Sequence, residues 1–565
     1  LQEAGTYHVI AISGGNIALL TAVLVLTGRL ARLSARTTYA ASILLLTFYG
    51  YTAGLAPSVL RATLAAVVYL TARLIDHRGS AINALAVAAG CAAAFTPLSV
   101  LDPGFVLSFA ATFAIVAAAS RASPRIERQP AQARLHRTAR AALASIIGLG
   151  AATLCAEIAL LPVGARLFGR VSFAGLLLNF AAIPLMSLIQ IAGLAAVVLF
   201  PVSHTAALVA GWFAHQGTVG LLRSAALVEW CPWLVLDVPS PSLLVIALWY
   251  GAATVLVAWW PQRRVRFASA SALVAAGLLI IFSPPQARAS AAPPLPDGWS
   301  RLAFIDVGQG DATVILPWGG APLLVDAGGA PGSSFDLGRR VTLPAIWALG
   351  ARRLGLLMLS HGDPDHIGGA PAVIRALRPG EIWEGIPVPG HPALQRLYQL
   401  AADRGIAWRA VRTGERRRVG AASLRVLNPP DPDWQRVKVR NEDSIVLDVR
   451  IGDVEVLLPG DIGQSTERLL LPVFDHAPIT IVKAPHHGSA GSSSMELVTA
   501  THPAVVVFSA GRRNPFGHPA PAVVDRYRAA GARVFRTDED GEVIIDTDGR
   551  RVVVWTWSGR REGVR

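Results

Sequence analysis

Four potential metal ligands, His361, Asp363, Asp365 and His366, fall within six residues of the run Ser360-His361-Gly362-Asp363-Pro364-Asp365-His366-Ile367-Gly368-Gly369. Imidazoles and carboxylates crowded together suit zinc or manganese, whereas calcium and magnesium favour all-oxygen shells. An isolated His-x-Asp reads more simply as a polar turn between two elements. Four donors together, with a Gly-Gly pair behind them, point instead to a divalent-metal site for Mn or Zn.

Such a cluster needs elements to hold it. Leu354 to Leu359 is apolar and predicts a strand, which puts the donors on a loop at a strand end, and a helix is predicted at 371–378. Short β-branched runs predict further strands at 301–307, 313–316, 322–326, 424–427, 444–450, 454–458, 479–484, 504–509, 533–536, 542–546 and 551–556. Helices are predicted at 464–471, 494–500 and 520–530.

This strand-rich region is only half of the chain. The 565 residues are 53% hydrophobic and 16% charged, too apolar for a soluble protein of this size. Residues 1–300 carry 19 arginines against 8 acids, and residues 301–565 carry 32 basic residues against 29 acids. The expected organisation is a polytopic α-helical membrane domain at 1–283, a proline-rich linker at 284–300 and a globular domain at 301–565. Apolar runs long enough to cross a bilayer occur at 10–28, 38–54, 57–73, 80–96, 104–120, 141–161, 171–200 (as one or two elements), 204–228, 241–260 and 267–283.

Arginines mark the loops between them. Arg29, Arg32 and Arg36 form one basic loop, Arg73 and Arg78 a second, Arg121 to Arg140 a third, and Arg263, Arg264 and Arg266 a fourth. Placing all four on the cytoplasmic side satisfies the positive-inside rule and leaves the globular domain extracytoplasmic. Asn16, Glu157, Asn179, Gln190 and Glu229 lie at membrane depth, where they are expected to face other helices or an aqueous path. Pro162 and Pro184 interrupt helical ladders. Cys91, Cys155 and Cys231 all lie in the apolar half, which excludes a cysteine zinc site in the globular one. No charged segment precedes the first apolar run, so no signal peptide is read, and residues upstream of Leu1 are expected.

The pattern His-x-Asp-x-Asp-His followed by Ile-Gly-Gly resembles the ligand signature of the metallo-β-lactamase superfamily, with Asp363 where a second His is usual. That resemblance implies an αββα sandwich. In the apolar half, His8 to Ile17, Pro57 to Ala62, Asp102 to Ala111, and Leu160-Leu161-Pro162 with Asn179 and Pro184 resemble, in order, the competence domain of the ComEC family of DNA-internalisation proteins. Further motifs follow. Leu324 to Gly329 is similar to the motif whose Asp (here Asp326) orients a ligand histidine. Leu458-Pro459-Gly460-Asp461 is similar to the motif of the metal-bridging carboxylate, and Lys483 to Ser489 to the last histidine motif. Asp306 to Ala312 and Asn514 to Pro519 also resemble this subgroup.

The resemblance implies metal ligands His361, Asp363, Asp365, His366, Asp461 and His487. It also implies that Asp365 holds the nucleophile while Lys483 or His518 contacts a phosphate. One departure stands out: no histidine lies between His391 and His476, and Asn441-Glu442-Asp443-Ser444 occupies the place of the usual third histidine motif.

The implied function is an inner-membrane DNA-uptake channel. Single-stranded DNA, and duplex at its outer face, would be substrate, with membrane lipid and other competence proteins as partners. Arg61, Arg166, Glu157 and Asn179 are the candidates for its DNA path. The outer domain would hydrolyse DNA phosphodiesters. Two alternatives stay open: a membrane-anchored metallohydrolase of a non-DNA phosphoester, and a channel whose metallo-domain is catalytically inactive.

Overall fold

The computed structural model describes all residues except 1–13, 55, 78, 123–133, 225, 227–229, 260, 283–292, 331, 333–334, 432–434, 475–476 and 565, and, within helices, the side chains of 101, 118–143 and 232. The opening motif up to Ser13, most of the third basic loop and Glu229 therefore lie outside the described residues. The chain divides into two compact units, Leu1–Phe282 and Ser283–Arg565.

The first unit is helical. Its described helices include Gly14–Leu30, Ala35–Thr52, Pro57–Leu74, Ala81–Phe95, Pro103–Ala122, Arg134–Phe168, Ala174–Leu199, His204–Ser224, Leu243–Ala258 and Arg263–Phe282. Several starts are set by serine caps: the Ser34, Ser80 and Ser242 hydroxyls accept from the backbone N–H three residues on. The run 171–200, left open between one element and two, contains one helix that continues through Pro184, and Arg134–Phe168 likewise continues through Pro162.

Ala144–Phe168, Ala174–Leu199 and Arg263–Phe282 are long and apolar enough to cross a membrane. Large apolar side chains such as Phe48, Val197, Val202 and Trp212 are exposed, a surface suited to lipid rather than water. A small antiparallel ribbon joins β1 (Arg170–Ser172) and β2 (Val235–Asp237), which the sequence patterns did not predict.

The second unit is a sandwich of two sheets. One has seven strands in the order β15 (Arg533–Arg536), β14 (Val505–Phe508), β13 (Ile479–Lys483), β12 (Val454–Leu458), β11 (Val446–Ile451), β10 (Ala422–Asn428) and β9 (Arg416–Val419). The other has nine: β18 (Arg561–Val564), β17 (Val552–Thr556), β16 (Val543–Thr547), β3 (Ser300–Phe304), β4 (Thr313–Leu316), β5 (Leu323–Val325), β6 (Leu356–Leu359), β7 (Glu381–Glu384) and β8 (Ala407–Ala410).

Alternation along each strand explains the layering. Leu302 and Phe304 face the core between the sheets, and Ala303 faces an outer helical layer. On β14, Val505 and Val507 point inward while Val506 and Phe508 pack under the helices Met495–Thr501 and Pro521–Ala529. Each fully buried side chain of this size stabilises the sandwich by about 1.5–3 kcal/mol. The result is the predicted αββα arrangement. β7, β8, β9 and the helices Leu343–Ala348 and Pro392–Asp403 are additions to the predicted set. The expected linker lies outside the described residues up to 292. From Pro293 it is pinned to the second unit, because Arg301 Nη2 donates to the Pro293 carbonyl at 2.7 Å.

Candidate metal centre

Parallel strands bring the chemistry to one end of the sandwich. β5–β8 run parallel in one sheet and β12–β15 in the other, and the donors lie just beyond the carboxyl ends of β5, β6, β12 and β13. The one-turn helix Pro364–Ile367 after β6 carries Asp365 and His366. It packs so tightly that a Cβ on Gly329 would overlap the Pro364 carbonyl, and one on Gly310 would overlap that of Asp365. Glycine is required at both places.

Ligand atoms of Asp365, His366, Asp461 and His487 all lie within 4.8 Å of one another. Asp461 is the hub: its Oδ2 is 3.3 Å from His366 Nε2 and 3.3 Å from His487 Nε2, and His487 Nε2 is 3.4 Å from Asp365 Oδ2. The opposite ring nitrogens are fixed from behind. His366 Nδ1 lies 2.8 Å from Asp326 Oδ2, and His487 Nδ1 lies 2.9 Å from the Ser509 carbonyl. Both contacts select the tautomer that leaves Nε2 free to coordinate. His361 lies beside them, its ring centroid 4.2 Å from that of His366 and its Nε2 3.3 Å from Asp363 Oδ2.

The donor set fits a divalent cation. Nε2 of His361, His366 and His487 and Oδ1 of Asp461 are buried without a hydrogen-bond partner among the described residues. Buried polar atoms left unpaired cost free energy, and the His366 and His487 Nε2 atoms that meet at Asp461 Oδ2 are what an ion there would satisfy.

The electrostatics agree. Burial alone would depress the His366 and His487 imidazoles, yet Asp461, with Asp326 beside His366 and Asp311 beside His487, reverses this and holds both well above 6.5. Burial would raise the Asp461 carboxyl, but the His487 and His366 imidazoles hold it well below its ordinary value.

Three placements differ from the sequence reading. Lys483 is 3% exposed and already committed: it is ion-paired to Asp311 and lies 3.7 Å from Asp461 Oδ1. It neutralises the carboxylates behind the cluster instead of reaching outward. Asp311, quoted only as part of a motif, is therefore structural to the site. His486, left out of the implied ligand set, is the third. Its Nε2 is 3.8 Å from Asp461 Oδ2 and 3.4 Å from Asn441 Nδ2, so this ring also approaches the hub. Burial, the main cause, lowers its pKa.

His518 does sit at the rim, its ring stacked 6.4 Å from that of His487. Ser360, which no motif singled out, links Asp326 to both His361 and His366.

The helical unit places its candidates differently. Arg61 is buried, with Nη1 3.3 Å from Asp102 and Nη2 3.3 Å from Ser108 Oγ, so it ties the helix Pro57–Leu74 to the next motif. Arg166 Nη1 donates to the Pro241 carbonyl at 3.1 Å. Glu157 faces Gly175, on the helix that also carries Asn179: a Cβ on Gly175 would overlap Glu157 Oε1 and lie 3.9 Å from Asn179 Nδ2.

These units define a class of protein: an apolar helical region joined to a metallo-β-lactamase-fold domain of the metal-dependent hydrolase type. Residues 1–263 match the family described as Competence protein and residues 305–511 the Metallo-beta-lactamase superfamily, and with both domains in this order the chain matches the ComEC family.

It is 27% identical over 575 residues to ComE operon protein 3 of Bacillus subtilis (strain 168), covering 96% of this chain and 68% of that one. It is 29% identical over 248 residues to Competence protein ComA of Neisseria gonorrhoeae, covering 44% of this chain and 32% of that one. Among solved structures, the metallo-beta-lactamase fold protein YhfI from Bacillus subtilis aligns at 12% identity and a TM-score of 0.29, covering 42% of this chain and 95% of that one.

Proposed function

We propose that the chain is a multi-pass membrane protein of DNA uptake whose globular domain, on the extracytoplasmic side, hydrolyses DNA phosphodiesters with one or two Mn or Zn ions. The observation that supports it most is the convergence of unpaired Nε2 atoms on Asp461, in a chain whose other half matches competence proteins.

A bound cation would supply an activated nucleophile near neutral pH and neutralise charge on phosphoryl oxygens. Asp365, His366, Asp461 and His487 would hold it, and His361 and Asp363, with Asp461, would hold a second. The chain's own contribution is positional. Asp326 and Ser509 orient the imidazoles, and Lys483 with Asp311 balances the buried charge. His518, whose ring stacks toward His487 and whose Nδ1 has no hydrogen-bond partner among the described residues, would contact a substrate phosphate. Glu157 and Asn179 stay candidates for a polar path beside Arg61 and Arg166, which would act there through the helix contacts they make.

A second reading, an inactive metallo-domain on a working channel, draws on Asn441 standing where a third histidine motif is usual. The test is a purified full chain in detergent with end-labelled single-stranded DNA and Mn or Zn, beside DNA uptake in cells. Asp461→Ala should abolish both cleavage and metal retention; uptake that continues at the original rate favours the second reading, and equal cleavage by the variant overturns the first. A phosphatase reporter fused at Gly298 should be active if the domain is extracytoplasmic.

A further inference from the structure

We infer that Phe516 is a stacking platform for one base of a single-stranded nucleic acid whose neighbouring phosphate lies at the metal cluster. The inference rests on the phosphodiesterase reading above and adds what that site recognises.

Phe516 is 64% exposed on the loop between β14 and the helix Pro521–Ala529. One face of the ring packs on His518 and the other is left open. The loop is also held firmly. The Asn514 amide donates to the Gly511 carbonyl at 2.8 Å and to the His518 carbonyl, and its oxygen accepts from Phe516 N at 3.1 Å and His518 N at 3.0 Å. One asparagine thus fixes the loop around the ring and lowers the entropy cost of ordering it on a ligand.

Ring geometry points the same way. Phe516 stacks on His518 at 5.8 Å and 28°, and His518 on the ligand His487 at 6.4 Å and 27°. A flat group laid on the open face of Phe516 extends this stack one step out from the metal cluster. The same loop carries Arg512 and Arg513, both exposed; Arg512 Nε reaches the Asp538 carbonyl at 3.4 Å.

An aromatic face on a loop that also carries two exposed arginines, beside a phosphate-handling site, matches a chain of bases and phosphates. Paired bases are already stacked on each other, so the free face suits an unpaired one. Charges and histidines around a single ring argue against a lipid or apolar protein partner, which would want a wider apolar patch.

Binding is measured without added metal, so that failure to cleave and failure to stack are separate results. The full chain in detergent is titrated into a short single strand carrying 2-aminopurine, whose fluorescence falls on stacking. Phe516→Ala should weaken binding about tenfold and lose the quenching, while Phe516→Trp keeps both. A strand with an abasic site in place of the probe should bind the wild type and Phe516→Ala equally. Unchanged binding by Phe516→Ala overturns the proposal and leaves the ring to an apolar partner. An equal loss on abasic strand or on duplex overturns it as well, since base stacking would then not be what was removed.

Discussion

Asp326→Asn tests whether the site is set from behind by a single carboxylate. Three donors converge on its two oxygens: Ser360 N at 2.7 Å, Ser360 Oγ at 2.7 Å and His366 Nδ1 at 2.8 Å. The residue is buried and its φ is +57°, a left-handed conformation that asparagine tolerates better than most residues, so the backbone stays where it is. An amide has only one acceptor oxygen. If that oxygen keeps the Ser360 N–H, the NH2 group faces Ser360 Oγ and His366 Nδ1. The hydroxyl can rotate and accept, but the imidazole cannot donate into an amide nitrogen, and two opposed buried donors cost about 1–3 kcal/mol.

The escape is a tautomer change that moves the His366 proton to Nε2, the atom 3.3 Å from Asp461 Oδ2 and the one needed for coordination. Metal affinity should therefore fall about 10–100-fold, which is about 1.4–2.8 kcal/mol. Chelator competition on the full chain reads this, with circular dichroism showing that the fold is kept. A variant that holds metal within about threefold of wild type would refute the idea that Asp326 sets the tautomer.

Two further outcomes follow from the same structure. His366 and His487, held above 6.5 by Asp461, Asp326 and Asp311, bind protons at neutral pH when no metal is present, so metal affinity should rise with pH by up to about tenfold per unit per displaced proton. For the metal-free chain the sign is opposite. Raised folded-state values stabilise below pH 6.5 and that stability is lost as pH climbs through them, so its melting temperature should drop with rising pH; a flat profile refutes the assignment. In the helical unit, Arg61→Glu sets two carboxylates against each other and should lower the amount of inserted protein, while the swap Arg61→Asp with Asp102→Arg should restore it. Full insertion of Arg61→Glu would mean that the pairing is not structural.

Element type was legible wherever periodicity was strong. Apolar runs locate most helices of the first unit to within a few residues, though 141–161 falls seven residues short of Arg134–Phe168 at each end, and β-branched alternation locates the inner strands. What escaped was short or highly charged. β7 (Glu-Ile-Trp-Glu), β8 (Ala-Trp-Arg-Ala) and β9 (Arg-Arg-Arg-Val) carry too little apolar alternation to register. β8 and β9 are edge strands, with one neighbour each, and charge on an edge also discourages pairing with another chain. The ribbon of β1 and β2 is three residues per strand and forms only because residues 170 and 237 are brought together, with Arg170 and Asp237 3.3 Å apart. No local signal encodes that.

The site shows the same limit in sharper form. The donors within one loop were legible from spacing, but Lys483 was not, since its partner Asp311 is 172 residues away in the chain. A lysine next to a histidine motif looks available to substrate until the fold shows which carboxylate has claimed it. His486 is the more instructive case. Neighbouring residues in extended chain point to opposite sides, so one ligand in a His-His pair should exclude the other. Here both residues adopt left-handed backbone, φ +49° and +55°, and the chain curls so that both Nε2 atoms approach the same Asp461 oxygen, at 3.8 and 3.3 Å. Two successive non-glycine residues in that region are strained. The strain is held in place by packing around Gly488, where a Cβ would collide with Phe508. A second imidazole thus reaches the hub from the same turn as the first, in a chain whose sequence offers Asn441 where a histidine motif is usual.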